Sequence, residues 1–448
     1  MKIPETPKDK WQILNEKRKS VAELLKNQPL IDLASRYNKQ YVHWEELKYK
    51  SVPENVDREL LWALMKIRRE TQQRTINLGT IELKYSLFDD ALRKLHFFDK
   101  NAGGQLNAAF KFVNTEGKGQ YIINSLMEEA IASSQLEGAN TTRKKAKEML
   151  RKKIAPSNYS ERMIANNYNT IQKIVQEWKT KPLTPEIIIG IQKSITENTL
   201  ESKEDEGIFR RTNDVVVADN MDPGVIYHIH PNYTEVPGLI TKLCEFANDD
   251  NGDFVHPVVK AIILHFLIGY IHPFNDGNGR TARSIFYWYI LSRGYWLFEL
   301  MAISRILLRS RVKYGLAYLY SETDDNDITY FINYNLQAID EAFADLEKYA
   351  RKKQKEQEDI LKTVKNLKGV NIRQADVLKE FIKNPDKIFT IEEIMNTYGV
   401  VYQTARTDLL YLEKNNYIEK MNLNRKKFGF RLLSPELKGN ISTANHAA

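Results

Sequence analysis

The twelve residues from His272 to Arg283 read HPFNDGNGRTAR, and the fold is organised around them. Before them, PVVKAIILHFLIGYI (257–271) is apolar nearly all round, which predicts a helix buried on every side. After them, RTARSIFYWYILSRGYW resumes a helical spacing of apolar residues. The stretch is therefore a loop at a helix N-terminus, where unpaired backbone N–H groups and the positive end of the helix dipole favour an anion. Gly277 and Gly279 let successive N–H groups turn inward as a nest for phosphate oxygens. Arg280 and Arg283 are three apart, share a helix face, and can both fork onto phosphate. Asp276 is a hard oxygen ligand suited to Mg²⁺. His272 can accept a proton from an attacking hydroxyl. Each feature alone is commonly structural; together they point to phosphoryl-group chemistry on a nucleotide. A Walker A loop is excluded because no Gly-Lys-Ser/Thr follows, and a dinucleotide fingerprint because no parallel βαβ pattern surrounds the loop.

The bulk properties bound this reading. A chain of 448 residues, 42% apolar and 28% charged, is expected to form two or three soluble domains. The net charge of +8 permits anionic partners without demanding one. A single cysteine, Cys244, excludes an intrachain disulfide framework and a cysteine-based zinc site, and fits a reducing cytoplasm. No apolar run approaches the ~20 residues of a membrane span, so no membrane partner is expected. The opening MKIPETPKDKW has no apolar core for a signal peptide. The expected fold class is mainly α. Clear strand alternation is confined to VVVAD (215–219) with VIYHIH (225–230), joined by NMDPG, and to a pair near the C-terminus. The charged segment 346–369 reads as a solvated helical connector.

The loop resembles the signature of the Fic family, His-x-Phe-x-Asp/Glu-Gly-Asn-Gly-Arg-x-x-Arg, at every defined position. GIFRRTNDVVVAD (207–219), PNYTEVP after the hairpin, and DDNDITYFINYNLQAI are also family-like, so the resemblance spans roughly residues 120–340. It implies a helical core with a β-hairpin flap that transfers AMP from ATP, with Mg²⁺, to a hydroxyl side chain of a target protein. His272 would be the base, Asp276 the metal ligand, and Phe274 the anchor of the loop. Gly277, Asn278, Gly279 and Arg280 would bind the phosphates, Arg283 the γ-phosphate, and Tyr314 the adenine, although Gly315 stands where a second tyrosine often occurs. Flap residues Ile226, Tyr227, His228, Ile229, His230 and Pro231 would pair with the target's main chain. His228 and His230 lack a third ligand in view, which disfavours a metal between them.

Upstream, SSQLEG (133–138) ends an apolar-periodic helix, with Gly138 as its terminator and Asn140 or Thr141 capping the next. Beside the Fic signature it resembles the family's inhibitory motif, matched by Ser133, Glu137 and Gly138. The expectation is a bidentate ion pair between Glu137 and Arg283 that occupies the place of the γ-phosphate. The chain then divides into a helical N-terminal extension (1–115) and a catalytic core (116–345) containing the inhibitory helix (119–138) and the flap (213–238). A connector (346–370), a unit resembling a winged helix (371–433) and a flexible tail (434–448) follow. In the winged-helix reading, Gln403, Thr404, Arg406 and the tip Arg425 to Lys427 would face DNA. The expected function is an autoinhibited protein adenylyltransferase that also modifies itself, its target unidentified and a homodimer conceivable. The alternatives are removal of AMP at the same site, or a DNA-binding regulator whose core senses nucleotide.

Overall fold

Helices carry the architecture of the computed structural model, which describes residues 2–103, 118–218, 224–250, 252–364, 369–424 and 427–433. The N-terminal part contains α1 (Lys10–Glu16), α2 (Val21–Leu24), α3 (Gln28–Lys39), α4 (Trp44–Leu47) and α5 (Arg58–Glu70), then β1 (Arg74–Leu78), β2 (Ile81–Tyr85) and α6 (Asp89–Phe98). The middle begins with α7 (Lys118–Leu136), α8 (Arg143–Lys152), α9 (Tyr159–Gln176) and α10 (Pro185–Thr196). It continues with β3 (Val217–Ala218), β4 (Ile226–His228), α11 (Val236–Asn248), α12 (Pro257–Ile271) and α13 (Asn278–Ser292). Then come α14 (Ile303–Arg309), α15 (Arg311–Thr323) and α16 (Thr329–Val364). The C-terminal part is α17 (Ile372–Lys383), α18 (Ile391–Tyr398), α19 (Tyr402–Lys414), β5 (Ile418–Asn424) and β6 (Lys427–Leu432). Strands among the described residues pair only as two-stranded antiparallel hairpins.

The expectation for α12 holds: every residue from Val258 to Ile268 is buried, because a helix apolar all round has no face to give to water. Helix α13 lies against it, buried from Arg280 to Leu291, so the loop between them hangs from two immobile supports. Helix α7 packs along α9 and α14 and ends at Gly138, whose φ of +92° suits the residue just past a helix end.

Several local expectations differ from what folds. A hairpin, β1–β2, forms in the N-terminal part and buries Leu78, Ile81, Leu83 and Tyr85 in the main core. Its signal was the alternation in TINLGTIELKY around Gly79 (φ +61°). Thr142, rather than Asn140 or Thr141, caps α8 by accepting from the Lys145 N–H. The flap strands are shorter than 215–219 and 225–230, and the joining residues 219–223 lie outside the described residues. The charged segment expected from 346 is helical but does not start a new element: α16 begins at Thr329 and runs to Val364, with Leu346 and Ala350 still in the main core and Arg351, Lys352 and Lys355 exposed. The three helices and hairpin of the C-terminal part enclose their own core around Phe381, Leu409 and Phe430. That unit also packs on the middle of the chain, through α18 against α7 and α8 and an Asn396 Nδ2 hydrogen bond to the Arg151 carbonyl (3.0 Å). Gln403 and Arg406 are exposed on α19 and Thr404 is half-buried; Arg425, Lys426 and residues 434–448 lie outside the described residues.

The N-terminal part is fastened through a buried polar network. Arg69 is fully buried and donates to Asn38 Oδ1 (2.8 Å), the Tyr330 hydroxyl (2.7 Å) and the Val42 carbonyl (2.8 Å). Its guanidinium lies 4.0 Å from the centre of the Tyr41 ring, whose hydroxyl reaches Asp327 at 2.5 Å. Lys66 pairs with Asp324 at 2.8 Å, and the Tyr330 hydroxyl donates to the same carboxylate at 2.9 Å. Burial works to raise the Asp324 pKa, but Lys66 and Arg69 outweigh it and hold the carboxyl below its usual range. Replacing Arg69 with Met strips this carboxylate of a buried cation. We expect a loss of about 3–5 kcal/mol of stability, read as a lowered thermal midpoint; an unchanged midpoint refutes the network's role.

Candidate functional site

Helix α12 ends at His272, whose backbone turns to φ +50°, a left-handed geometry that a non-glycine residue adopts only when its surroundings hold it there. That turn sends the chain back as the loop. Phe274 is fully buried and packs on Phe209 with ring centres 5.4 Å apart. Asn278 closes the loop from within: its Oδ1 accepts from Phe274 N (2.9 Å) and its Nδ2 donates to Phe274 O (2.7 Å). The Asn278 side chain is therefore a staple, and only its backbone N–H remains for an anion. Gly277 takes φ +85° against Thr196, where a Cβ would stand 2.8 Å from Cγ2. At Gly279 a Cβ would run into the Glu137 carboxylate, so glycine permits the close approach of α7.

Charged groups converge on this loop. Arg283 is buried and directs two of its nitrogens at the end of α7: Nε to Ser133 Oγ (2.8 Å), and Nη2 to both the Ser133 carbonyl (2.9 Å) and Glu137 Oε1 (2.8 Å). The expected bidentate pair is thus a single charge-assisted hydrogen bond, because the Nε edge of the guanidinium is given to Ser133. Burial works to raise the Glu137 pKa, but Arg283, helped by Arg280, keeps the carboxyl below its ordinary range. Arg280 is fully buried; Nη1 donates to the Ile195 carbonyl (3.2 Å), Nη2 approaches Asp276 Oδ2 at 3.5 Å, and the buried Nε has no partner. Asp276 Oδ1 accepts from Gly277 N at 2.5 Å, and about half of its side chain (49%) is exposed. Among the described residues no three His, Cys, Asp or Glu side chains gather to hold a metal, the His228 and His230 pair included. Asp276 suits a cation that takes one protein carboxylate and draws its other ligands from phosphates and water, the habit of Mg²⁺.

His272 Nδ1 lies 3.3 Å from the Gly269 carbonyl, which assigns the proton to Nδ1 and leaves Nε2 as the free base. Burial lowers its pKa to about 4, so the imidazole is neutral at physiological pH. A cavity of about 210 Å³ joins His272, Glu137, Gly279 and Arg283 to flap residues Tyr227 and His228 and to Tyr314, Gly315 and Tyr318 of α15. The Tyr314 hydroxyl is bonded to His265 Nε2 at 2.8 Å, leaving its ring to line the cavity. Of the flap residues, Ile226 and Ile229 are exposed, while His228 is fixed by Glu322 (2.6 Å) and the Tyr270 carbonyl (2.8 Å).

Two positioning groups escaped the sequence reading. Gln192 on α10 donates to the Asp276 carbonyl (3.1 Å) and accepts from Gly207 N (2.8 Å). Arg210 donates through Nε to the His272 carbonyl (2.9 Å) and through Nη2 to that of Pro231, while its own N–H donates to the Pro273 carbonyl (2.8 Å). Arg210 thereby ties the flap to the loop. It lies in the quoted GIFRRTND, but nothing local distinguishes it from Arg211 beside it. Replacing Arg210 with Ala should speed amide exchange at residues 226–230 by about 10- to 100-fold, the scale of one charged hydrogen bond. Unchanged exchange there refutes the tether.

Residues 182–290 match the family model described as Fic/DOC family. Over 68 residues the chain is 34% identical to a protein named protein adenylyltransferase Fic from Drosophila melanogaster and to its counterpart in Drosophila mojavensis. The match spans 15% of this chain and 14% of each relative's length. Among solved structures, a Fic family protein from Desulfovibrio desulfuricans G20 aligns at 16% identity and a TM-score of 0.43, covering 74% of this chain and 98% of that one. Fic-1 from C. elegans aligns at 16% identity and 0.45, covering 78% and 90%.

Proposed function

We propose, from the match of residues 182–290 to the Fic/DOC family, that the protein is an adenylyltransferase restrained by its own α7. The observation that carries the reading is the Arg283 guanidinium, held by Ser133 and Glu137 where the loop would present it to a γ-phosphate. A buried guanidinium stays charged and needs an anionic partner, so the Glu137 carboxylate and a triphosphate compete for one place. The backbone N–H groups at the start of α13 and the unpartnered Arg280 Nε are suited to the remaining phosphate oxygens. Asp276 would hold Mg²⁺, which when bound neutralises charge on the phosphates. In the reaction a target hydroxyl oxygen bonds to the α-phosphorus, the bond to the bridging oxygen breaks, and pyrophosphate leaves. The hydroxyl proton goes to His272 Nε2. The flap's exposed Ile226 and Ile229 would meet the target, whose main chain adds to the short strand β4.

Glu137 and His272 line the same cavity, and that favours a second activity at this site: Glu137 orienting water to remove AMP from a modified hydroxyl.

Incubation with labelled ATP and Mg²⁺ tests the first reading. Wild type should label itself weakly, and Glu137→Gly should gain about 10- to 100-fold, the scale of releasing a ~1.5–3 kcal/mol charged hydrogen bond. Arg283→Ala should not reproduce the gain, and the double variant should stay weak because the γ-phosphate has lost its partner too. Equal labelling by wild type and Glu137→Gly overturns the restraint. In the Glu137→Gly background, His272→Ala should cost about 10²-fold or more in transfer while nucleotide binding, measured by calorimetry, persists. Transfer at the Glu137→Gly rate without His272 removes it as the base.

A further inference from the structure

His230 leaves the flap strand and lays its ring on His272. The centroids are 4.1 Å apart and the planes differ by 13°, a face-to-face stack. Neither His230 ring nitrogen has a hydrogen-bond partner although both are buried. The Tyr270 carbonyl on α12 is bonded instead to His228 Nε2 (2.8 Å). A buried imidazole with both nitrogens unsatisfied is costly and persists only where something holds it. What holds it is backbone: Arg210 grips the carbonyls of Pro231 and His272 with one guanidinium and so fixes the two histidines face to face.

We propose that His230 is a positioning residue for the base, a flap-borne lid on the face of His272 that keeps this imidazole dry, neutral and aimed at the cleft. The inference rests on His272 serving as the base. The ring face, not the nitrogens, carries the role, since it is the face that covers His272. The cause agrees with the electrostatics. Burial is the first reason for the lowered His272 pKa, and His230 itself is pushed down to about 2, also chiefly by burial, so the lid adds no positive charge. The other groups acting on His272 are the Gly269 carbonyl on α12, His228 on β4, Glu137 at the end of α7 and Arg210 ahead of the flap; Glu322 of α15 reaches it only through His228. None of these is removed by changing residue 230. Because the lid belongs to the flap, the base is tuned only while the flap is seated, which couples target docking to proton acceptance.

The sign follows from desolvation. Taking the lid away admits water to one face of His272, stabilises the imidazolium and raises its pKa from about 4 towards the ordinary ~6.5. The test is an NMR titration of the histidine rings in the full chain, with His272 assigned by its loss in His272→Gln. His230→Ala should move the His272 midpoint up by about one unit or more, whereas His230→Phe, which keeps a ring face but no nitrogens, should leave it low. The same shift should appear in automodification. The ratio of rates at about pH 5 and about pH 7.5 should fall about twofold for a one-unit rise and about tenfold for a two-unit rise on adding His230→Ala to Glu137→Gly, and should be restored by His230→Phe. An unmoved midpoint in His230→Ala overturns the proposal, as does a His230→Phe midpoint that rises as far as that of His230→Ala. The titration reads the base directly, so it decides the inference even if no protein is labelled, an outcome that would instead count against the adenylyltransferase reading.

Discussion

A guanidinium buried among helices cannot lose its charge and cannot be left alone, and Arg283 is such a group. It sits one turn into α13, inside the core, with its Nε and Nη2 bonded to Ser133 of α7 and to Glu137 just past that helix. Burial disfavours the cation, yet Glu137 outweighs that and holds its pKa above the usual value. Much of the site follows from this demand for a counter-charge. Helix α7 must end where its last turn can serve Arg283, Gly138 must terminate it, and Gly279 must lack a side chain so that the carboxylate can approach. The Ser133 contacts are neutral, so removing the Glu137 carboxylate empties only the charged position. An anion arriving there finds a cation already oriented.

The loop owes its shape to elements distant in sequence. Asn278 closes it from within, Gln192 and Thr196 of α10 press on it from one side, and Arg210 ties it to the flap on the other. His272 is held in a left-handed conformation at the end of a helix that has no exposed face. A base placed on so rigid a support keeps its aim, and the flap supplies its cover. The most exposed charged participant is Asp276, as befits a ligand to a cation that arrives hydrated.

Helix α7 has neighbours at both ends of the architecture. Its C-terminal turn contacts Arg283, while α18 of the C-terminal unit packs on α7 and on α8, where Asn396 is bonded to the Arg151 carbonyl. The long α16 runs from the core as far as Val364, and the unit is seated through the contacts of α18 with α7 and α8. The N-terminal extension is seated too, through Arg69 and the carboxylates ahead of α16.

The sequence by itself determined the features that depend on neighbours along the chain: the all-round apolar α12, the glycine turns at Gly277 and Gly138, and the order of His272, Asp276, Arg280 and Arg283 around one helix start. Periodicity and backbone freedom are local properties, so they are legible without the fold. Local propensity also wrote the β1–β2 hairpin into TINLGTIELKY, where a helical environment masked it. Tertiary structure alone decided which partner each charge meets. Arg210 and Arg211 look alike in sequence, yet only Arg210 is turned inward, to carbonyls as far off as Pro231 and His272. Glu137 and Arg283 are 146 positions apart, and only packing shows that their contact is one hydrogen bond with Ser133 taking the other edge. The stack of His230 on His272 joins two segments across the flap, and no spacing rule anticipates it. Hydrogen bonds and ring contacts act over a few ångströms, and it is the folded core that brings such distant residues within that range.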